Sequence, residues 1–315
     1  MKILFPLWPK KAHNLYLGPM KLLIIYTLLL SSVSFAATFN CTPQVPVKWQ
    51  ELSDGVAWTK YDLSYTPYIK EERRWEQSQS RSVTVRAFKI DLLKNKLLFQ
   101  SPEQDLNCNP STDRYIEKII THTAENVIGA INCNFFVMPS GGIQGIAIDE
   151  NKVWSTDLTS QIISSSGILY IKPNLIQMDS KDNFIQSYGS VLSPQDAASF
   201  NFAVQAYPKL LLNGELQIGD GVLNSRRSRT SIGTTDAKNE IILVTIDARA
   251  ETSKTGMTLF EYAHFVKNSN CGVGQSTALN LDGGGSSAFA IPSLKIYEQA
   301  DRCRHLGNIL TIQKR

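Results

Sequence analysis

The sequence is poor in the residues that common catalytic centres require. Its 315 residues hold four histidines, His13, His122, His264 and His305, with no His-Glu-x-x-His and no second histidine at ligand spacing. That excludes a histidine-rich metal centre of the usual kind. No Gly-x-Ser-x-Gly is present, which argues against a serine hydrolase built on a strand-turn-helix nucleophile elbow. No Cys-x-x-Cys is present either, so a zinc ribbon or a thioredoxin-like motif has no support. Low-complexity tracts and internal repeats are also missing. A surplus of charge is lacking as well. The formal net charge of +4 equals the count of Lys2, Lys10, Lys11 and Lys21, which all lie before residue 38. The rest of the chain is close to neutral, so no nucleic-acid partner is expected.

The N-terminus has a pattern of its own. Met20-Lys21 precedes the apolar run Leu22–Leu30, and small residues follow, ending at Ser34-x-Ala36 or Phe35-x-Ala37. A positive residue, a short apolar core and a small-residue exit describe a secretory signal. The run is short for a membrane span. Residues 1–37 are therefore expected to be a signal peptide with Met20 as a candidate true start, and a retained anchor is the competing reading. No stable span is expected after cleavage, and the protein is placed in the periplasm or outside the cell. Cys41 has no lipobox-like triplet before it. Cys41, Cys108, Cys133, Cys271 and Cys303 can then form two disulfides and leave one thiol, with the connectivity open.

Strand patterns dominate the remainder of the chain. Residues 38–81 are polar and aromatic, with first strands within Val47–Leu63 and a charged linker at Glu71–Arg81. From residue 82, strands are expected at Val83–Ile90, Leu97–Phe99, Val127–Ile131, Arg229–Gly233, Ile241–Ile246 and Ile309–Ile312. Hairpins are expected about Asp149–Asn151, Pro173-Asn174 and Asn213-Gly214, the last suited to a type I′ turn. Ser111 or Thr112 is expected to cap a helix whose apolar face is Tyr115, Ile116, Ile119 and Ile120. Ser193-Pro194-x-Asp196 marks another helix start. Thr258-x-x-Glu261 fits a capping box ahead of a third. The expected fold is α+β: a largely antiparallel or mixed sheet with two or three helices, in a single domain over 82–315.

Four polar clusters stand beside apolar strands. Asn132 and Asn134 offer amides to sugar hydroxyls, with Phe135 beside them to stack on a sugar face. Arg226-Arg-Ser-Arg229-Thr230 offers guanidinium forks for phosphate or carboxylate oxygens. Asp247 and Arg249 are two apart and share a strand face, while Glu261 is explained fully by its capping box. Asn280 and Asp282 share a face opposite Leu279 and Leu281. Gly283, Gly284, Gly285 and Ser286 follow Asp282, and backbone without Cβ can approach a ligand there. A tight turn between strands is the competing reading of that stretch.

Taken in order, Asn132-x-x-Phe-Phe136, Arg226–Gly233, Leu243–Arg249, Gly256–Ala263 and Ala278–Ser287 resemble the phosphodiester glycosidase family over roughly residues 82–315. Arg304-His-Leu-Gly-Asn-Ile-Leu310 is similar to that family's closing segment. The family contains an animal lysosomal enzyme that removes N-acetylglucosamine from a phosphodiester on mannose, and exported bacterial proteins. The resemblance implies a site around Asn132, Arg226, Arg229, Asp247, Arg249, Glu261, Asn280, Asp282 and the glycines. Departures occur at Cys133 and Asn134, at Arg227 and at Ala248, where the family has glycines or a histidine. They bear on substrate choice.

The leading expectation is an exported hydrolase of a glycosidic bond in a sugar-1-phosphodiester or related envelope glycan. Asp282 would act with Glu261 or Asp247, because glycoside cleavage uses two carboxyl groups. Arg229 and Arg249 would hold the phosphate. A non-catalytic carbohydrate-binding envelope protein is the second reading. A phosphodiesterase using a hard divalent cation on Asp247 and Asp282 is the third. The partner is a glycan or sugar phosphate in each.

Overall fold

In the computed structural model, β-branched and aromatic residues alternating with period two build the two longest strands. These are β3 (Val56–Tyr65) and β6 (Arg81–Asp91), paired along their length from Val56↔Ile90 to Tyr65↔Arg81. The structure describes residues 38–102, 106–109, 111–123, 125–137, 142–156, 158, 166–222, 225–247, 256–271 and 273–315. The expected leader at 1–37 and Arg249 lie outside them. Of Asp247 only the backbone is described. Residues 38–315 form one compact unit.

β1 (Cys41–Pro43), β2 (Gln50–Ser53), β3 and β6 share a nine-stranded sheet with β16 (Lys209–Leu212), β17 (Glu215–Leu216), β18 (Arg229–Thr234), β19 (Glu240–Asp247) and β20 (Thr277–Asn280). Its order is β1-β3-β6-β19-β18-β20-β16-β17, with β2 on β3. Residues 41–65 are thus part of the sheet that carries the site strands. Tyr68–Ile69 (β4) pairs with Arg74–Trp75 (β5), the latter inside the Glu71–Arg81 stretch expected as a linker. A second sheet runs β12-β11-β15-β13-β14, from β11 (Ala147–Asp149), β12 (Val153–Ser155), β13 (Gly167–Lys172), β14 (Leu175–Ser180) and β15 (Phe202–Ala206). A third runs β22-β21-β8-β23-β7, from β7 (Asn95–Gln100), β8 (Gly129–Asn132), β21 (Ala288–Ile291), β22 (Ile296–Gln299) and β23 (Ile309–Lys314). Phe136–Val137 (β9) and Gly142–Ile143 (β10) form a small pair. Among the described residues every strand pair is antiparallel. The fold is α+β, as expected.

Both faces of the large sheet are buried, which is why β19 reads as an apolar run rather than an alternation. Phe88, Ile232, Leu243 and Leu279 face Leu169, Phe202, Ile131, Phe289 and Leu310 of the two smaller sheets. Val85, Ile242 and Val244 face Leu259, Tyr262 and Phe265 of the helix Leu259–Lys267. Each such side chain contributes about 1.5–3 kcal/mol by leaving water.

Four α-helices are described where the patterning announced two or three: α1 (Tyr115–Thr123), α2 (Lys181–Tyr188), α3 (Pro194–Ala198) and α4 (Leu259–Lys267). α1 lays Tyr115, Ile116, Ile119 and Ile120 on the third sheet. It starts three residues beyond Thr112. Ser111 and Thr112 instead close a turn on Asn109 and Asp113, through bonds of 2.6–3.1 Å. α3 and α4 start as expected: Ser193 accepts from Asp196 N, and Thr258 and Glu261 form a reciprocal capping box. The Asn213-Gly214 turn has φ of 49° and 80°, both positive as a type I′ turn requires. Cys41–Cys271 and Cys108–Cys303 are disulfides, and Cys133 is a buried free thiol. No helix among the described residues is long and apolar enough to cross a membrane.

Candidate active site

Antiparallel pairing sets Arg229, the Asp247 backbone and Asn280 at one end of the large sheet. Arg229 begins β18 and lies opposite Ile246, one residue before Asp247 ends β19. Asn280 ends β20 opposite Ser231 of β18. Asn132 ends β8 in the third sheet, opposite Ile309.

Asp282 sits just past β20. Its main-chain N–H donates to the Cys133 carbonyl at 3.0 Å, and its carbonyl accepts from Asn132 Nδ2 at 2.6 Å. Its carboxylate Oδ1 accepts from Gly283 N at 2.8 Å, and Ser286 also hydrogen-bonds to the carboxyl. Burial raises the Asp282 carboxyl above the usual range, against the pull of Ser286, Gly283 and the Arg304 charge. Desolvation wins because it penalises only the ionised form. The shift is toward the protonated form of the Asp282 carboxyl.

The glycines serve this placement rather than opening a run of donors. Gly283 N is taken by Asp282, Gly284 N donates to Ser228 O at 2.9 Å, and Ser286 N and Ser287 N bond back to Gly283 O and Gly284 O. Most of the expected row of amides is thus spent within or beside a short 3₁₀ turn, Gly284–Ser286. Glycine is still needed at 284, where φ is +62°, a region that costs a Cβ-bearing residue strain.

Asn132, expected to meet sugar hydroxyls, is a bracket instead. Its Oδ1 accepts from Thr230 Oγ1 at 2.8 Å and from Ala288 N at 2.9 Å, while Nδ2 holds the Asp282 carbonyl. The Thr230 hydroxyl is used by the same bond. Asn134 Nδ2 reaches the carbonyls of Ile146 and Gln205, and its N–H donates to Asn308 Oδ1 at 2.9 Å. Phe135 is half-buried against the main core. Asn280 Nδ2 donates to Tyr207 O at 2.7 Å. Asn134 Oδ1, Asn280 Oδ1, Asn308 Nδ2 and Ser287 Oγ are buried without a hydrogen-bond partner. Such atoms are uncommon in folded proteins, and all four belong to residues at or next to this bracket.

The arginines divide. Arg226 Nη2 pairs with Glu261 Oε1 at 2.6 Å and donates to Tyr68 O at 3.2 Å. Glu261 is fully buried: Oε1 also accepts from Tyr68 N, and Oε2 accepts from Thr258 N at 2.8 Å. Both its oxygens are occupied. Arg229 is 7% exposed, and its Nε and Nη2 donate to the carbonyls of Met257 and Ser225 at 2.9 and 2.6 Å. Burial lowers its guanidinium to about 10, so it keeps its charge at neutral pH. Among the described residues no carboxylate pairs with it. The backbone next to Asp282 and next to Arg229 meets at Ser228: its carbonyl receives Gly284 N, and a Cβ on Gly283 would stand 3.0 Å from it.

The departure at Cys133 introduces no nucleophile, because burial pushes its thiol up and keeps it protonated. Among the described residues no three His, Cys, Asp or Glu side chains gather as a metal site. Three participants escaped the residue-level reading. Arg304 lends its charge to Asp282, and Asn308 orients Asn134. Both stood in the closing segment Arg304–Leu310, where the resemblance was the available signal. Tyr68, which holds both Arg226 and Glu261, carried no signal.

With this geometry in place, comparison with known proteins is informative. A family described as phosphodiester glycosidase matches residues 125–313. The zebrafish N-acetylglucosamine-1-phosphodiester alpha-N-acetylglucosaminidase catalytic domain, auto-inhibited by its pro-peptide, has a similar structure. Its TM-score is 0.61 at 18% identity, over 89% of each chain. A hypothetical protein from Synechocystis aligns with a TM-score of 0.55 and 14% identity, over 89% of this chain and 68% of that one. At these identities the structural likeness is one of fold. No curated protein matches.

Proposed function

Because this chain belongs to the phosphodiester glycosidase family, we propose that it is an exported hydrolase cleaving the glycosidic bond of a sugar-1-phosphodiester. One observation carries the reading: Asp282, a buried carboxyl raised above its usual range, and Arg229, a buried cation with carbonyl partners among the described residues, stand on paired backbone, where Leu281 N donates to Thr230 O and Gly284 N to Ser228 O. An acid and an anion-seeking guanidinium carried on paired backbone suit a leaving group that is itself a phosphate. The signal-like leader, two disulfides and the absence of a long apolar helix among the described residues support export.

In this reading Arg229 holds the phosphate and Asp282 donates its proton to the glycosidic oxygen as the bond from the sugar C1 to that oxygen breaks. A water oxygen bonds C1 and gives its proton to the second carboxylate. Asp247 is the better candidate for that role, since both Glu261 oxygens are held by Arg226, Tyr68 and Thr258. Phosphate leaves readily, so the acid's share lies near the low end of general-acid catalysis, about a hundredfold. The test is sugar release from an N-acetylglucosamine-1-phosphodiester by the purified protein. Turnover that falls at least about a hundredfold in Asp282→Asn, with the fold retained, is expected. Binding of the diester without any release of sugar would replace the reading with a carbohydrate-binding one.

A further inference from the structure

A second feature lies outside the bracket. A cavity of about 620 Å³ opens between the start of α1 and the β21–β22 hairpin, lined by Thr112, Arg114, Glu117, Lys295, Tyr297 and Arg302 among others. Among the described lining residues are the cations Arg114, Lys295 and Arg302 and the carboxylate Glu117. Two of them are oriented from one loop: Arg114 Nη1 donates to Asp113 O at 3.0 Å, and Arg302 Nη1 to Ser111 O at 3.2 Å. The Cys108–Cys303 disulfide fastens that loop to the segment bearing Arg302. Burial and the Glu117 charge hold the Tyr297 phenol in its protonated form, which leaves it a hydrogen-bond donor. Glu117 lies in the first turn of α1, where a carboxylate complements the helix dipole.

This cavity is tied to the Asp282 site by a single short stretch. Asp301 N donates to Gly285 O at 3.1 Å, Gln299 Nε2 holds the carbonyls of Asp301 and Arg304, and Tyr115 N of α1 donates to Arg302 O at 3.0 Å. Arg302 lines the cavity while Arg304, two residues on, lends its charge to Asp282. Two cationic positions thus flank one rigid segment. We propose that the cavity is a second phosphate subsite, holding the neighbouring phosphate of a glycan whose sugars are joined by repeating phosphodiesters. The assignment rests on the reading of the Asp282 site as acting on a sugar-1-phosphodiester, and it narrows the substrate class to a polyanionic polymer.

The full chain is assayed on a single sugar-1-phosphodiester and on a short synthetic oligomer of sugar-phosphate repeats. Lys295 is exposed on left-handed backbone with φ 55°, so Lys295→Asn keeps a residue that tolerates this conformation, and Lys295→Glu reverses the charge. The expected result is a KM for the oligomer raised about tenfold or more in Lys295→Glu, as for a lost charge-assisted contact. The value for the single diester and both kcat values stay unchanged, and Tyr297→Phe shifts the oligomer KM in the same direction. Equal effects on both substrates, or none on either, would overturn the subsite. If wild type cleaves neither substrate, the glycosidase reading fails and calorimetry decides the cavity. Oligomer binding weakened by Lys295→Glu supports it, and unchanged binding overturns it. Inorganic phosphate bound as tightly as the oligomer overturns the polymer assignment in favour of a free-phosphate site.

Discussion

Burial gives Asp282 a pKa above that of an unfolded carboxylate, and linkage turns this into a stability statement. The folded state then binds more protons than the unfolded state between the ordinary carboxylate value and the raised one, so stability falls as pH rises through that window and is flat beyond it. Asp282→Asn keeps the acceptor for Gly283 N and removes the ionisation. It is therefore expected to be more stable than wild type at neutral pH while losing turnover, a stability–function exchange at one atom. Urea unfolding of both proteins across pH checks this; a mutant less stable at neutral pH would show that ionised Asp282 is compensated. Arg229 makes a separate prediction. Its Nε and Nη2 are bound to Met257 O and Ser225 O, a fork that lysine cannot reproduce. Arg229→Lys should lower kcat/KM for a sugar-1-phosphodiester by about tenfold or more and spare an uncharged aryl glycoside. Equal losses on both would remove phosphate from its role. The candidacy of Asp282 was legible from residue order, because an acid at a strand end before three glycines is hard to explain by packing, and its burial just past β20 is what the structure adds. The role of Asn132 was not: its partners Asp282 O and Ala288 N are 150 and 156 positions away, and periodicity carries no information at that range.

At the scale of elements, the start of α4 shows how one side chain can serve helix and site together. Glu261 caps the helix through Thr258, and the same carboxylate fixes Arg226 and Tyr68. Thr258→Ala removes one capping bond and should cost about 1 kcal/mol. Glu261→Gln strands the partly buried Arg226 charge and should cost more, about 3 kcal/mol. Chemical denaturation of both variants measures the difference. A Glu261→Gln protein as stable as wild type yet inactive would return Glu261 to direct chemistry. Local signals made this element legible, as they did the Asn213-Gly214 turn and the Ser193 cap, because each is a contact within a few residues. Helix α2 lacked such a signal: Lys181–Tyr188 buries only Phe184, too little for a helical stripe to stand out, and its cap Ser180 is the last residue of a strand. α1 was placed correctly by its apolar face but misjudged at its start, since Ser111 and Thr112 found partners within their own turn.

For the whole molecule, the two disulfides close loops of similar size, with sequence separations of 230 and 195. In the chain-entropy account each contributes about 5 kcal/mol, and because the dependence on length is logarithmic the two should differ by only tenths. Their positions differ far more. Cys41–Cys271 ties the edge strand β1 to the segment after α4, where Tyr61 also donates to the Cys271 carbonyl. Cys108–Cys303 anchors the stretch that sets Arg304 beside Asp282 and Arg302 in the basic cavity. Replacing either pair with serine should therefore lower unfolding free energy by a similar amount. Only Cys108→Ser/Cys303→Ser should also lower kcat/KM at a temperature where both variants remain folded, because catalysis responds to placement of a charge that global stability does not register. Activity equal in the two variants, at matched fractions folded, would mean that the bonds from Asp301 to Gly285 and from Gln299 to Arg304 hold the segment without the bridge.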